Sequence, residues 1–180
     1  MSDVILKRPG SPMEWFRLWW LYMTAFPVSE RKPFAMILKM WRKGKTDIWC
    51  AEAHGTFLGL AITINSPDAV LLDYFAIAPA HRSKGWGHKA LAAVLARYHD
   101  RGVFLEIEDP SLPRDDQTLR QRRKAFYLSC GLRELGVKAL LFGVPMELLG
   151  VRCAMTFGDY KDFFRIHYDP WVAEHVTEIE

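Results

Sequence analysis

Three cysteines in 180 residues, Cys50, Cys130 and Cys153, lie far apart and form no C-x-x-C pair. So sparse and odd a set builds neither a disulfide framework nor a zinc site, so buried thiols in a reducing cytoplasm, and no metal, are expected. Long apolar runs are lacking as well. The longest near the start, Trp15 to Val28, spans 14 residues and is broken by Arg17, short of the ~18 to 20 that cross a bilayer. No basic stretch with a small-residue cleavage site precedes it, so neither a signal peptide nor a membrane partner is expected. No single charge sign dominates: 24 Lys and Arg face 21 Asp and Glu, a net +3, which requires neither nucleic acid nor an acidic surface. Repeats and low-complexity runs are absent, and 12 Gly with 10 Pro exclude collagen-like or disordered composition.

Half of the residues are apolar, enough for a real core in one domain, since domains hold about 100 to 200 residues. The aromatics are unevenly spread. Five of seven tryptophans, Trp15, Trp19, Trp20, Trp41 and Trp49, fall in the first 50 residues.

Apolar spacing predicts a short strand over 3–7, then helices over 13–26 and 33–43, separated by Pro27 and Pro33. Strands follow over 47–53 and 57–64, joined at His54-Gly55-Thr56, and over 70–78. A helix over 86–101 places Ala90, Leu91, Val94, Leu95 and Tyr98 on one face, with Gly102 as its stop. Then come a strand over 103–108, a helix from Asp115 or Asp116 to Cys130 closed by Gly131, and strands over 137–144 and 151–157. The tail, 159–180, reads as one aromatic helix broken at Pro170. The pattern is a mixed α/β chain around one sheet.

The segment richest in chemistry is 71–90, LLDYFAIAPAHRSKGWGHKA. A β-branched and aromatic strand runs into Arg82-Ser83-Lys84-Gly85-Trp86-Gly87 and directly into a helix. Gly85 and Gly87 let the backbone approach a ligand, and the helix start adds inward N–H groups and a partial positive charge. Arg82 and Lys84 reinforce this anion site, whose natural guest is a pyrophosphate. The run is neither a Walker A motif nor a dinucleotide-binding fingerprint. A helix entry with solvated charges is the plain alternative.

This loop resembles the acetyl-CoA signature of the GNAT superfamily of N-acetyltransferases. Phe126-Tyr127 with Gly131-Leu132 is similar to that family's helix-end motif, and Leu105-Glu106-Ile107-Glu108 is similar to its adjacent strand. The three motifs come in the family order, within a resemblance covering residues 3–157, and leave 158–180 as a C-terminal aromatic helical tail packed on the same domain. Ala25-Phe26-Pro27-Val28-Ser29-Glu30-Arg31-Lys32-Pro33 further resembles a bacterial subgroup carrying A-F-P-x-x-E-R-x-P. The resemblance implies a mostly antiparallel sheet with one splayed parallel strand pair and flanking helices.

It also implies acetyl-CoA as acyl donor and a primary amine, on a small molecule or peptide, as acceptor. By the family pattern the backbone of Phe75, Ala76 and Ile77 meets the pantetheine arm. Arg82, Ser83, Lys84, Gly85, Trp86, Gly87 and His88 then hold the pyrophosphate. Tyr127 matches the family tyrosine at the leaving sulfur. Its ordinary pKa of about 10 exceeds that of a thiol at about 8.5, so hydrogen bonding to the thiolate suits it better than full proton donation. Glu106 is the candidate base, with Asp73 a second, and each has a plain alternative as a binding or strand residue. Phe26, Glu30, Arg31 and Glu108 are candidates for the acceptor site, whose wall would include part of the aromatic front. Cys130 reads as a packed thiol, which favours direct transfer. The 21-residue gap from Glu106 to Tyr127 contains no Asn and two prolines, a departure from the family pattern that weakens any transfer of substrate identity.

Two readings compete. A non-catalytic acyl-CoA sensor or partner-binding module would keep the fold without turnover. Nucleic-acid binding through Arg114, Arg120, Arg122, Arg123 and Lys124 is disfavoured, because these residues spread over several helix faces beside Asp115 and Asp116. A second copy of the chain is a candidate partner for the aromatic tail.

Overall fold

The structure, a computed structural model, describes residues 4–113 and 115–179. Asp3 of the first expected strand and Arg114 of the basic set lie outside them. The chain divides into two compact units: one holds the chain up to Ile64 with Leu72–His99, the other Asn65–Leu71 and the chain from Asp100 onward.

In the first unit, α1 (Pro12–Ala25) opens with a capping box. The Ser11 hydroxyl accepts from the Glu14 N–H, and the Glu14 carboxylate accepts from the Ser11 N–H at 2.9 Å, so two otherwise orphaned donors are satisfied. Pro12 fits the first helical position. Pro27 ends this segment, a single 3-10 turn covers Val28–Glu30, and α2 (Phe34–Arg42) follows. β2 (Thr46–Ala53) and β3 (Thr56–Asn65) form a hairpin through His54 and Gly55, both left-handed at φ 52° and 72°, the geometry that suits strand twist. β1 (Ile5–Lys7) pairs antiparallel with β2. β4 (Ala69–Ile77) neighbours β3, and Gly59 permits their approach: a Cβ there would stand 2.2 Å from the Ala76 carbonyl oxygen. Leu18, Tyr22, Ile37, Ile48, Leu60 and Ile62 fill the core beside them.

α3 (Trp86–Arg97) buries Ala90, Leu91 and Val94. It stops short of the expected Arg101 because Tyr98 turns inward, where its hydroxyl bonds Thr63, Asp47 and the Trp49 indole N–H at 2.9 to 3.0 Å. Gly102 serves the next strand and not the helix end. A Cβ on it would lie 2.6 Å from the Cys153 Cβ.

In the second unit, β5 (Gly102–Glu108) pairs in parallel with the start of β4, from Ala69↔Gly102 to Leu71↔Phe104. Its other edge is antiparallel to β7 (Val144–Val151), which pairs with β6 (Arg133–Leu141), which in turn pairs with β8 (Val176–Glu178). The strand order is β1-β2-β3-β4-β5-β7-β6-β8, a mixed α/β fold with one parallel pair, as expected. α4 (Gln117–Ser129) closes at Gly131, left-handed at φ 90°, as its position foretells.

The last strands differ from the sequence reading. Phe142 and Gly143, at φ 50° and 78°, make a two-residue turn between β6 and β7, so the hairpin sits earlier than expected. Residues 152–155 are irregular, and 156 caps a helix instead of lying in a strand. Thr156 and Asp159 form a capping box for α5 (Phe157–His167), and Asp169 caps α6 (Pro170–Glu174). The tail is therefore two helices followed by a strand. Phe163, Phe164 and Tyr168 are buried in it, with Phe163 edge-on to Phe104 of β5 at 5.0 Å.

Candidate active site

The glycine-rich loop lies wholly in the first unit. After β4, Pro79–His81 makes one 3-10 turn, and Ser83 and Gly85 both take left-handed backbone at φ 59° and 77°. A serine in that region is uncommon and points to a constrained loop. Gly85 is the N-cap of α3 and supplies no capping side chain, so the first turn's N–H groups lack the usual side-chain acceptor. The Arg82 side chain donates to the Ile77 carbonyl at 2.9 Å and Lys84 to the Ala80 carbonyl at 2.8 Å. Both cations thus brace an exposed loop. Trp86 packs inward and carries Lys89 over its ring at 4.9 Å. On β4, Ala76 faces one cluster while Phe75 and Ile77 face the other.

Asp73 is tied to the α1–α2 turn. Its side chain is 4% exposed and lies 2.5 Å from Nζ of Lys32, itself 9% exposed. The adjacent Tyr74 hydroxyl accepts from the Lys32 N–H and donates to the Glu30 carbonyl, both at 2.9 Å. Tyr22 donates to the Lys32 carbonyl at 2.7 Å. Burial pushes both phenols well above the ordinary tyrosine range, so they act as fixed neutral hydrogen-bonding groups. Phe26 packs at 4.9 Å from the Tyr74 ring. Arg31 folds back to donate to the Met23 carbonyl at 2.8 Å. The motif-bearing turn from Phe26 to Lys32 is therefore pinned by its backbone.

In the second unit, Tyr127 sits in the penultimate position but one of α4, buried, with its ring 5.1 Å from Phe126. Burial raises its phenol to about 12, against a smaller opposing pull from Arg123. Glu106 on β5 accepts a 2.5 Å hydrogen bond from the Tyr160 hydroxyl of α5. Glu108, two residues on, forms an ion pair with buried Arg120, which also reaches Asp116 at 3.1 Å. Burial raises the Cys130 and Cys153 thiols and pushes Cys50 up to about 12, so none is held as a thiolate near neutrality. No cluster of three or more His, Cys, Asp or Glu suited to a metal occurs among the described residues.

A model of the acetyltransferase (GNAT) family matches residues 14–131, well over half of the chain. The chain belongs to that family. Its reaction class is accordingly N-acetyl transfer. No curated protein sequence matches it. Solved structures share the fold at low identity. A Bacteroides thetaiotaomicron protein described as a GNAT-family acetyltransferase is 18% identical, covers 93% of this chain and 98% of its own, and superposes with a TM-score of 0.76. Arabidopsis thaliana Naa50, bound to the bisubstrate analogue CoA-Ac-MVNAL, is 14% identical over 84% of this chain and 99% of its own, with a TM-score of 0.61. The ribosomal-protein-S18-alanine N-acetyltransferase of Escherichia coli is 16% identical over 87% and 96%, with a TM-score of 0.58.

Within this GNAT-family chain the front tryptophans have three fates. Trp49 is core and bonds Tyr98. Trp15 and Trp41 meet edge-on at 5.2 Å and, with Trp19, Phe34 and Arg42, line an open groove of about 500 Å³. Trp20 is exposed. Three contacts at the candidate residues escape the sequence reading: Lys32 on Asp73, Arg120 on Glu108 and Tyr160 on Glu106. Each joins positions from 12 to 54 residues apart, beyond any local periodicity. Tyr160 falls in the tail expected to be helical from 159, and the Thr156-x-x-Asp159 capping box sets where that helix starts.

Proposed function

We propose that this acetyltransferase moves the acetyl group of acetyl-CoA to a cationic primary amine, on a small molecule or a peptide, by direct attack. The observation that carries the reading is the loop at α3: two left-handed residues, Ser83 and Gly85, open a 12-residue helix that has no capping side chain. Backbone N–H groups from Ser83 to His88, with Arg82 and Lys84, suit a pyrophosphate. The exposed loop and the backbone of Phe75 to Ile77 suit an extended pantetheine chain. The chain also carries the A-F-P-x-x-E-R-x-P turn of the bacterial subgroup, at Ala25 to Pro33.

A lysine-like amine is mostly protonated at neutrality. The ammonium first releases one proton to solvent; as the neutral nitrogen then bonds the thioester carbonyl carbon, Glu106 receives the second proton from it, and the carbon–sulfur bond breaks. Tyr127 donates a hydrogen bond to the departing thiolate, which then takes a proton from solvent. Raised to about 12, the Tyr127 phenol would need about 5 kcal/mol to protonate a thiolate of ordinary pKa, so it stabilises charge without ionising. Raised cysteine pKa values support direct transfer over an acyl-enzyme. Asp73 and Glu108 act through their ion pairs, holding the acceptor turn and α4, while Phe26, Glu30 and Arg31 shape the acceptor side of that turn. The Naa50 structure holds the bisubstrate analogue CoA-Ac-MVNAL, and the S18-alanine enzyme is named for a ribosomal-protein acceptor, which supports including peptides in an acceptor screen.

Titration calorimetry with acetyl-CoA, beside a thiol-release assay over a panel of amines and peptides, tests the proposal. Binding at micromolar levels and turnover on at least one amine are expected. Gly85→Ala should weaken acetyl-CoA binding about tenfold, because left-handed backbone costs a side chain about 1 to 2 kcal/mol, although space for the Cβ is open. Binding without thiol release on any amine would return the chain to the sensor reading.

A further inference from the structure

Helix α1 is apolar on two faces. Leu18, Leu21 and Tyr22 are buried in the core, yet Met13, Phe16, Trp20 and Met23, spaced three, four and three residues apart, form a second stripe toward solvent. Phe16 is 55% and Trp20 57% exposed. The Phe16 ring lies 6.1 Å from Trp19 and 6.3 Å from Trp20, so the surface aromatics form one continuous patch. A helix on the surface of a globular protein ordinarily turns a polar face outward. Contiguous exposed apolar surface of this kind marks a binding face.

Charge identifies what it binds. Residues 12–45 contain seven Lys and Arg against two Glu, whereas the whole chain has 24 against 21, so the rest of the chain is net acidic; Lys32 is buried against Asp73, which leaves six cations outside that pair. The near-neutral total conceals a basic end. Arg17 lies on α1 beside the stripe, and Lys39, Arg42 and Lys43 are exposed at the end of α2, with Arg42 on the wall of the aromatic groove. A second copy would bring two basic segments face to face. An anionic bilayer meets both properties at once: tryptophan and phenylalanine settle at the headgroup boundary, and lysines and arginines meet acidic lipids. At 14 residues, α1 is about 21 Å long, which suits lying in the interface. No helix among the described residues is long and apolar enough to cross a membrane.

We infer that the outer face of α1, with the basic end of α2, docks this protein on an anionic lipid surface. The Phe16 and Trp20 rings lie 26° from parallel within this exposed apolar patch.

Co-sedimentation with vesicles tests this independently of catalysis. The protein should bind equimolar phosphatidylcholine–phosphatidylglycerol vesicles at low salt, bind pure phosphatidylcholine vesicles weakly, and release as salt rises. Trp20→Ser or Phe16→Ser should weaken partitioning about tenfold. Lys39→Glu or Lys43→Glu should each weaken it at least about fivefold, and acetyl-CoA binding and circular dichroism should stay unchanged in all four. The charge variants keep the test decisive if an aromatic variant folds poorly. Absence of binding to anionic vesicles, equal binding to neutral ones, or full binding by the charge variants would overturn the inference. So would a dimer in sedimentation velocity that Trp20→Ser dissolves, or tighter binding to single-stranded DNA than to vesicles.

Discussion

The Tyr160 hydroxyl donates a 2.5 Å hydrogen bond to Oε1 of Glu106, across 54 positions of sequence. Tyr160 is fully buried in the first turn of α5, beyond residues 14–131 matched by the family model. A residue of the C-terminal segment thus orients the carboxylate proposed as base. The capping box at Thr156 and Asp159 sets the start of that helix, and the ring's contact with Phe164 at 5.4 Å holds it from the other side.

Replacing Glu106 with Gln should lower kcat by about 10² to 10⁴, the usual worth of a general base. A loss below about threefold would demote Glu106 to a binding residue. Tyr160→Phe keeps the ring and removes the donor, and should lower kcat about tenfold with KM for acetyl-CoA unchanged, while costing about 1 kcal/mol of stability. Steady-state kinetics beside thermal melts separate the two effects. Loss of stability with kcat intact would make Tyr160 purely structural.

Tyr127→Phe should slow thiol release about a hundredfold, the order expected for one charge-stabilising donor, and leave calorimetric acetyl-CoA binding nearly intact. Because the phenol is raised to about 12, it stays protonated through pH 10. The wild-type rate should therefore show no alkaline limb from Tyr127 below about pH 11. A limb near pH 9 that vanishes in Tyr127→Phe would show that the phenol ionises during the reaction.

Lys32→Met leaves Asp73 buried without its cation, at a cost of about 3 to 5 kcal/mol, the usual penalty of an uncompensated buried charge. The double variant Lys32→Met with Asp73→Asn should recover much of that stability in chemical denaturation. It should still raise KM for the acceptor, because the turn from Glu30 to Lys32 loses its side-chain anchor. Unchanged acceptor KM would separate this turn from substrate binding.

Much of the architecture was legible because it is locally encoded. The apolar runs of β2 and β3, the turn at His54-Gly55, the prolines around the first two helices and the glycine after α4 each act within a few residues. The glycine-rich run was readable for the same reason, since its chemistry is that of backbone, carried by consecutive positions. The late strands were not: a strand is expected over 137–144, but the positive φ of Phe142 and Gly143 puts a turn inside it. A strand is expected over 151–157, yet Thr156 is held as a helix cap by Asp159 and Phe157 opens the helix.

The aromatic front shows the same division. Helical spacing puts Trp15, Leu18, Trp19 and Tyr22 on one face; Leu18 and Tyr22 lie inside, whereas Trp15 is partly buried and Trp19 is 38% exposed. Periodicity does not decide which of two apolar faces finds a partner: packing of α1 on core residues of α2, β3 and β4 left Trp20 outside, while Trp49 of β2 is buried with its indole N–H on Tyr98. Likewise the residue types at Asp73, Glu106 and Glu108 declared carboxylates on strands. Their partners Lys32, Tyr160 and Arg120 came from other elements, because buried charge is satisfied by whatever the fold brings within a few ångströms, at no fixed distance along the chain.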